Sequence, residues 1–318
     1  MKKILSFFRQ QPIWAILIVF MLIIGLIEPR FWQMGNLLNI AVQVAVNGML
    51  ALGMTYLMIN GYFDLSVGTV MGFTAALAIG LQPHGIFVAV VVALLAGAFI
   101  GAINGFLVAK VKINAFIVTL GSFIGVRGLT YIYTQEDALI GTNWSFGDFG
   151  ASSIMGLPTL FVVMMVCMVI AEFGLKRSSH GRYTYAIGGN IEAASNAGIP
   201  VNRTIFLNFV LCGFTAAAGG VLLASRLNAA TPTLGWPDRN LMTIATVVLG
   251  GTSLLGGAGS ISRTVGGLFT LGVLLNVLNL FNVQSYYNTL FTGLVLILVV
   301  FADYQIKMKR GYTQLGSH

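Results

Sequence analysis

Long apolar runs, separated by short polar breaks, constrain this chain more than any other feature. Ten such runs lie near 13–27, 37–59, 65–82, 86–109, 113–133, 154–175, 204–225, 241–257, 265–281 and 285–302. Each has a length suited to crossing about 30 Å of hydrocarbon at about 1.5 Å per residue. Continuity of the runs, as opposed to alternation every second residue, excludes a β-barrel. Only 8% of the residues are charged and 57% are hydrophobic, against about 25% charged in a soluble domain. An ordinary soluble enzyme and a disordered chain are therefore excluded. The expected fold is an all-α polytopic membrane bundle, with residues 1–318 forming one integral-membrane domain.

The formal charge of +8 raises the possibility of a nucleic-acid partner. The basic residues, however, form short clusters between apolar runs, with no basic stripe on a soluble face. Cys167 and Cys212 lie within apolar runs and read as small buried hydrophobes. His84, His180 and His318 stand at segment ends or on the tail, so no metal cluster is expected. The N-terminal Lys2, Lys3 and Arg9 before an apolar run resemble a signal peptide. No small-residue cleavage site follows, and Glu28-Pro29-Arg30 leads into further runs, so an uncleaved first span is expected.

Charge placement orients the bundle. With the N-terminus inside, inner segments carry Lys2, Lys3, Arg9, Lys110, Lys112, Lys176, Arg177, Arg182, Arg203, Arg263, Lys307, Lys309 and Arg310. Outer segments carry Arg30, Arg226 and Arg239, alongside acidic Glu28, Glu136, Asp137, Asp148 and Asp238. Thirteen basic residues inside against three outside place both termini in the cytoplasm and require an even number of spans.

Several polar stretches interrupt the runs. In Asn60-Gly61-Tyr62-Phe63-Asp64-Leu65-Ser66-Val67-Gly68, glycine frees the backbone, and Asp64 and Ser66 can satisfy exposed amides. Such a stretch could break a helix and line a polar cavity. The simpler alternative is an inner turn in which Asp64 caps a helix starting at Leu65. Residues 250–260 are glycine-rich, yet no Lys follows a Gly anywhere, so a phosphate-binding loop is absent. Close packing through small residues and an inner turn is the expected role. Arg127 falls in the outer half of the fifth run, where snorkelling and an ion pair are both open. The amides and hydroxyls of Gln43, Asn47, Asn60, Asn104, Asn114, Thr119, Asn276 and Asn279 suggest a polar interior suited to an uncharged solute. The candidate solute-pathway residues are Asn47, Asn60, Asp64, Ser66, Asn104, Asn114, Thr119 and Arg127. Of the two longer soluble segments, 134–153 is an acidic outer loop and 176–203 an inner one. Within the latter, Asn190 can cap a short helix, Glu192 favours its first turn, Gly198 ends it and Pro200 stops it resuming. About two turns are unstable alone, so this helix should pack on its own bundle or on a partner.

Four stretches occur in order: Asp64-Leu65-Ser66-Val67-Gly68, Thr119-Leu120-Gly121 with Arg127-Gly128, the 181–199 loop, and Val247-Val248-Leu249-Gly250-Gly251-Thr252-Ser253-Leu254 with Gly257 and Gly259-Ser260. Together they resemble the ribose/xylose/arabinose/galactoside permease family of bacterial ATP-binding cassette (ABC) importers, over nearly the whole chain. The resemblance implies a non-enzymatic permease subunit in the bacterial inner membrane, dimeric with a second copy or a related permease. It also implies ATPase subunits on the cytoplasmic side and a periplasmic sugar-binding protein. ATP would be used by the partner, with no cofactor bound by this chain and no nucleic acid involved; lipid is the remaining partner. Gly188, Gly189, Asn190, Glu192, Ala193, Ala194 and Gly198 would then form the ATPase-coupling segment. The chain departs from the family pattern at Gly61-Tyr62-Phe63 and at Gly235-Trp236-Pro237-Asp238-Arg239, which leaves the solute open. An ion-coupled secondary transporter would need Asp64, Glu172 or Arg127 as its ion site. An intramembrane enzyme lacks an embedded His-rich or Ser–His constellation.

Overall fold

A computed structural model describes residues 11–284 continuously and residues 287, 290, 291, 293, 294, 297, 298 and 301 beyond them. Of the expected run at 285–302, only these scattered residues are described, and Lys2, Lys3, Arg9, Lys307, Lys309 and Arg310 lie outside the described residues. The described helices are α1 (Pro12–Ile27), α2 (Met34–Ile59), α3 (Val67–Gly80), α4 (Ile86–Ala109), α5 (Ala115–Thr134) and α6 (Trp144–Ala151). They continue as α7 (Thr159–Arg177), α8 (Ser179–Gly189), α9 (Ile191–Asn196), α10 (Val201–Leu227), α11 (Arg239–Leu249) and α12 (Ile261–Leu280). Two 3-10 turns, Pro29–Trp32 and Gln82–His84, and four two-residue strands complete the order: β1 (Leu139–Ile140), β2 (Ser153–Ile154), β3 (Leu157–Pro158) and β4 (Ala229–Ala230).

Six of these helices, α2, α4, α5, α7, α10 and α12, are long and apolar enough to cross a membrane. The protein is a polytopic helical membrane protein. Three further apolar helices are shorter: α1 has 16 residues, α3 14 and α11 11. The run expected at 241–257 is corrected, because helix covers only Arg239–Leu249 of that region. Gly251, Gly256 and Gly257 adopt φ of 88°, 86° and 73°, which ends the helix and turns the chain. The run expected to begin at 154 becomes helical only at Thr159, after a β2–β3 hairpin pairing Ser153 with Pro158.

In hydrocarbon, apolar burial does not drive helices together, so close packing and hydrogen bonds must. α4 and α10 meet along small residues. A Cβ at Gly101 would collide with the Phe209 carbonyl, and one at Gly105 would come within 2.9 Å of the Phe206 carbonyl. α2 is buried along most of its length, including Leu50, Met54 and Leu57, and packs against α10, α7 and α12.

The short helices α3 and α11 produce two non-helical segments inside the bundle. Residues 60–66 lead into α3 from the end of α2. Residues 231–238 pass from β4 to α11 along the face of α3, where a Cβ at Gly68 would approach the Gly235 carbonyl to 2.6 Å. Only glycine lets the two backbones approach this closely. At the opposite end from α8, β1 pairs antiparallel with β4, Leu139 opposite Ala230. The Gln82 side-chain oxygen accepts hydrogen bonds from the Thr142 and Asn143 amides, at 2.7 and 2.9 Å, and ties the 134–153 loop to the end of α3.

Candidate functional site

A cavity of about 520 Å³ lies between α2, α10, α11 and α12, within the range of about 300–1,000 Å³ typical of small-ligand sites. Its polar lining comes from Gln43, Asn47, Arg226, Asp238, Arg239 and Asn279. Asn47 sits midway along α2, and Arg239 is the first residue of α11. Because α11 starts after the non-helical 231–238 segment, its first residue reaches the middle of the bundle instead of its rim. There Arg239 Nη1 donates to Asn47 Oδ1. Asn47 Nδ2 in turn contacts Met242 Sδ at 3.8 Å. Gln43, Asn47 and Asn279 supply amide donors and acceptors, and the guanidinium adds a planar donor fork. Such a lining can hydrogen-bond the hydroxyls of an uncharged polar solute.

Asp64, Ser66 and Asn104 come together, but in a closed network away from this cavity. They are 1%, 0% and 0% exposed. Asp64 Oδ1 accepts from the Ser66 amide at 2.7 Å and the Ser66 hydroxyl at 2.6 Å. Asn104 Nδ2 donates to Asp64 Oδ2 at 3.4 Å and to Ser66 Oγ at 3.2 Å. The Ser122 hydroxyl donates to Asn104 Oδ1. This network joins the entry to α3 with α4 and α5. The expected cap is corrected in register: α3 begins at Val67 with Ser66 at its N-cap, while Asp64 closes the preceding turn.

The remaining candidates on α5 lie apart. Asn114 caps α5 through the Phe116 amide at 2.9 Å. Thr119 bonds back to the Ala115 carbonyl at 2.8 Å. Arg127 stacks its guanidinium 3.8 Å from the Trp236 ring centroid, and that ring stacks on Phe123 at 4.7 Å. The sequence reading weighed snorkelling and an ion pair for Arg127 and did not consider this cation–π stack.

A third cluster lies where α8 meets the end of α2. Asn208 of α10 is its hub. Its Nδ2 donates to Asn60 Oδ1 at 3.1 Å and Thr184 Oγ1 at 3.2 Å. His180 Nε2 lies 2.7 Å from Asn208 Oδ1, which fixes His180 as the donor. Gly188 packs so tightly that a Cβ would collide with the Ile59 carbonyl. The Gly257 amide donates to that same carbonyl at 2.8 Å. Tyr185 donates its hydroxyl to the Gly259 carbonyl at 2.7 Å. Burial first, then nearby Glu172, pushes the Tyr185 phenol up to about 12, so it remains a donor at neutral pH. α8 is thereby fixed to α2, α10 and the 250–260 turn.

α9 follows directly. Asn190 Oδ1 accepts from the Ala193 amide at 2.9 Å, Glu192 lies in the first turn, and Gly198 takes φ of 76°. These caps match the sequence expectation, whereas the eleven-residue helix α8 before it was not expected. Gly189, Asn190, Glu192, Ala193 and Gly198 are exposed, while Ala194 is buried. The arrangement is a short, solvent-facing helix held by a firmly anchored one. Sequence reasoning missed Asn208, His180 and Thr184. It counted Arg239 as an outer charge and as part of a departure from the family pattern, not as a cavity residue.

Residues 36–300 match the family described as branched-chain amino acid transport system / permease component. The ribose import permease protein RbsC of Haemophilus influenzae is 38% identical over 311 residues, covering 96% of each chain. RbsC of Bacillus subtilis is 40% identical over 291 residues, 90% of each chain. The L-arabinose transport system permease protein AraH of Escherichia coli is 37% identical over 318 residues, 97% of this chain and 96% of that one. No solved structure matches.

Proposed function

This chain belongs to the branched-chain amino acid transport system permease-component family, and we propose that the solute it carries is a monosaccharide. It is the membrane-embedded permease subunit of an ABC importer; ATP hydrolysis belongs to a separate subunit, and a substrate-binding protein is a further partner. The observation that carries the sugar reading is the similarity to ribose import permeases across at least 90% of both chains. The cavity is compatible with it, since the amides of Gln43, Asn47 and Asn279 and the Arg239 guanidinium can hydrogen-bond sugar hydroxyls.

In the proposed assembly two permease chains associate in the bacterial inner membrane, each with ten crossings and both termini in the cytoplasm. ATPase subunits sit on the α9 side and bind the nucleotide, and the sugar-binding protein docks on the periplasmic side. α9 is the coupling helix. ATP-driven closure displaces α9 and, through it, α8, and the contacts of Gly188, Tyr185 and His180 pass that motion to α2, the 250–260 turn and α10. The 250–260 turn moves with α8 and directly follows α11. α11 carries Arg239 at its far end, so the displacement reaches the Arg239–Asn47 contact and opens the cavity to alternate sides.

The test is reconstitution with the cognate ATPase and binding protein in proteoliposomes. ATP-dependent accumulation of ribose or arabinose, with no accumulation of leucine, is expected. Leucine uptake without pentose uptake would overturn the sugar reading.

A further inference from the structure

A second cavity, of about 470 Å³, opens between α1, α7 and α12. Its apolar wall includes Trp14, Met168, Val169 and Phe173, and Lys176 and Arg177 stand at one end. Nothing in the transport mechanism uses this groove.

The groove has the polarity of a lipid molecule. From Met165 to Lys176, α7 rises about 17 Å at about 1.5 Å per residue. One leaflet accounts for about 15 Å of a hydrocarbon core about 30 Å thick. The length of the groove, mouth included, thus matches one leaflet, and its polar end coincides with Glu172, Lys176 and Arg177. At that mouth Trp14 Nε1 donates to Gln11 Oε1 at 3.1 Å, and the Ser262 hydroxyl donates to the same oxygen at 3.0 Å. An indole with its ring in the groove and its N–H on a polar group is typical of the membrane interface.

The charges at the mouth are ordered. Glu172 accepts the Ile261 amide on Oε2 at 2.9 Å and pairs with Lys176 Nζ through Oε1 at 2.6 Å. Both carboxylate oxygens are thereby engaged, and an ammonium retains further donors for a second acceptor. The Lys176 side chain is 58% exposed. Arg177 is also exposed, with its guanidinium 5.8 Å from the Phe173 ring centroid. Two cations against one carboxylate leave a net charge of +1 at the mouth.

We propose that this groove binds one acyl chain of an anionic phospholipid, with the headgroup phosphate held by Lys176 and Arg177. The proposal rests on the chain's spanning a membrane and is independent of which solute it carries. A basic residue near an anionic lipid surface contributes about 1 kcal/mol, a preference of about fivefold.

The test uses the full chain in phosphatidylcholine nanodiscs titrated with dibromo-phosphatidylglycerol or dibromo-phosphatidylcholine. The tryptophan emission present in the native chain and missing from Trp14→Phe is the Trp14 signal. That signal is expected to be quenched at about fivefold lower mole fraction of the anionic lipid than of the zwitterionic one. Arg177→Gln leaves Lys176 paired with Glu172 and the mouth without net charge, so it should remove most of this preference, and Lys176→Gln/Arg177→Gln should abolish it with helical circular dichroism unchanged. Should the double variant fail to fold, the single variant carries the test. Equal quenching by both lipids in the native chain would overturn the proposal, as would a preference that survives in Arg177→Gln undiminished. Absence of quenching by either lipid would also overturn it, since the groove would then be closed to lipid.

Discussion

Arg239, the first residue of α11, donates its guanidinium to the side-chain oxygen of Asn47, midway along α2. This contact closes one wall of the polar cavity and joins it to the helix that runs back to the 250–260 turn. Hydrogen bonds to charged groups contribute about 1.5–3 kcal/mol. Asn47→Ala is expected to lower thermal stability by an amount in that range and to reduce sugar uptake about tenfold or more. Arg239→Lys keeps the charge but loses the planar fork, so it should also impair uptake. Native uptake in both variants would remove the pair from the solute path.

Gly188 and Gly189 are adjacent, yet their surroundings differ. A Cβ at Gly188 would strike the Ile59 carbonyl, whereas one at Gly189 meets nothing within 4 Å. Gly188→Ala should therefore loosen α8 from α2 and lower both the melting temperature and sugar-stimulated ATP hydrolysis. Gly189→Ala should be neutral or stabilising by up to about 1 kcal/mol through helix propensity. Equal behaviour of the two variants in melting and hydrolysis assays would contradict this packing.

The coupling role proposed for α9 is separable from stability. Glu192 is exposed in its first turn. Glu192→Ala should leave the melting temperature within about 0.5 kcal/mol equivalent, as surface substitutions usually do, yet reduce stimulated ATP hydrolysis. Unchanged hydrolysis would argue against docking on this helix.

Asp64 tests structure against charge. Asp64→Asn keeps an acceptor for the Ser66 amide, whereas Asp64→Ala leaves buried donors unpaired at about 1–3 kcal/mol. The expected result is a near-native melt for Asn and a clearly lowered one for Ala. A well-folded Asp64→Asn chain with abolished uptake would show that the charge itself takes part in transport.

The α4–α10 crossing depends on Gly101. Gly101→Val should cost about 1–3 kcal/mol by overpacking against Phe209. Gly121→Ala, where a Cβ finds open space, is the control in the same melting experiment.

The caps of α9 were legible because they are local. Asn190, Glu192 and Gly198 act on neighbours within four residues. α8 was not legible, since Gly181, Gly188, Gly189 and its Thr and Tyr residues are weak helix formers. Its order depends on Asn208 and Gly259, which are distant in sequence. The glycines at 97, 101 and 105 did carry a readable signal, a spacing of four on one helix face.

The sequence alone determined the membrane class, most helix positions and the polar breaks, because partitioning and backbone freedom depend on local composition. The tertiary structure decided which amides face a cavity and which close on each other. In a bilayer a lipid-facing side of a helix is as apolar as a buried one. Hydrophobic periodicity therefore says little about how each helix is turned. Asn47 and Asn104 look alike in sequence, but one lines the cavity beside Arg239 and the other is sealed against Asp64. Only the packing of α2, α4 and α11 separates them.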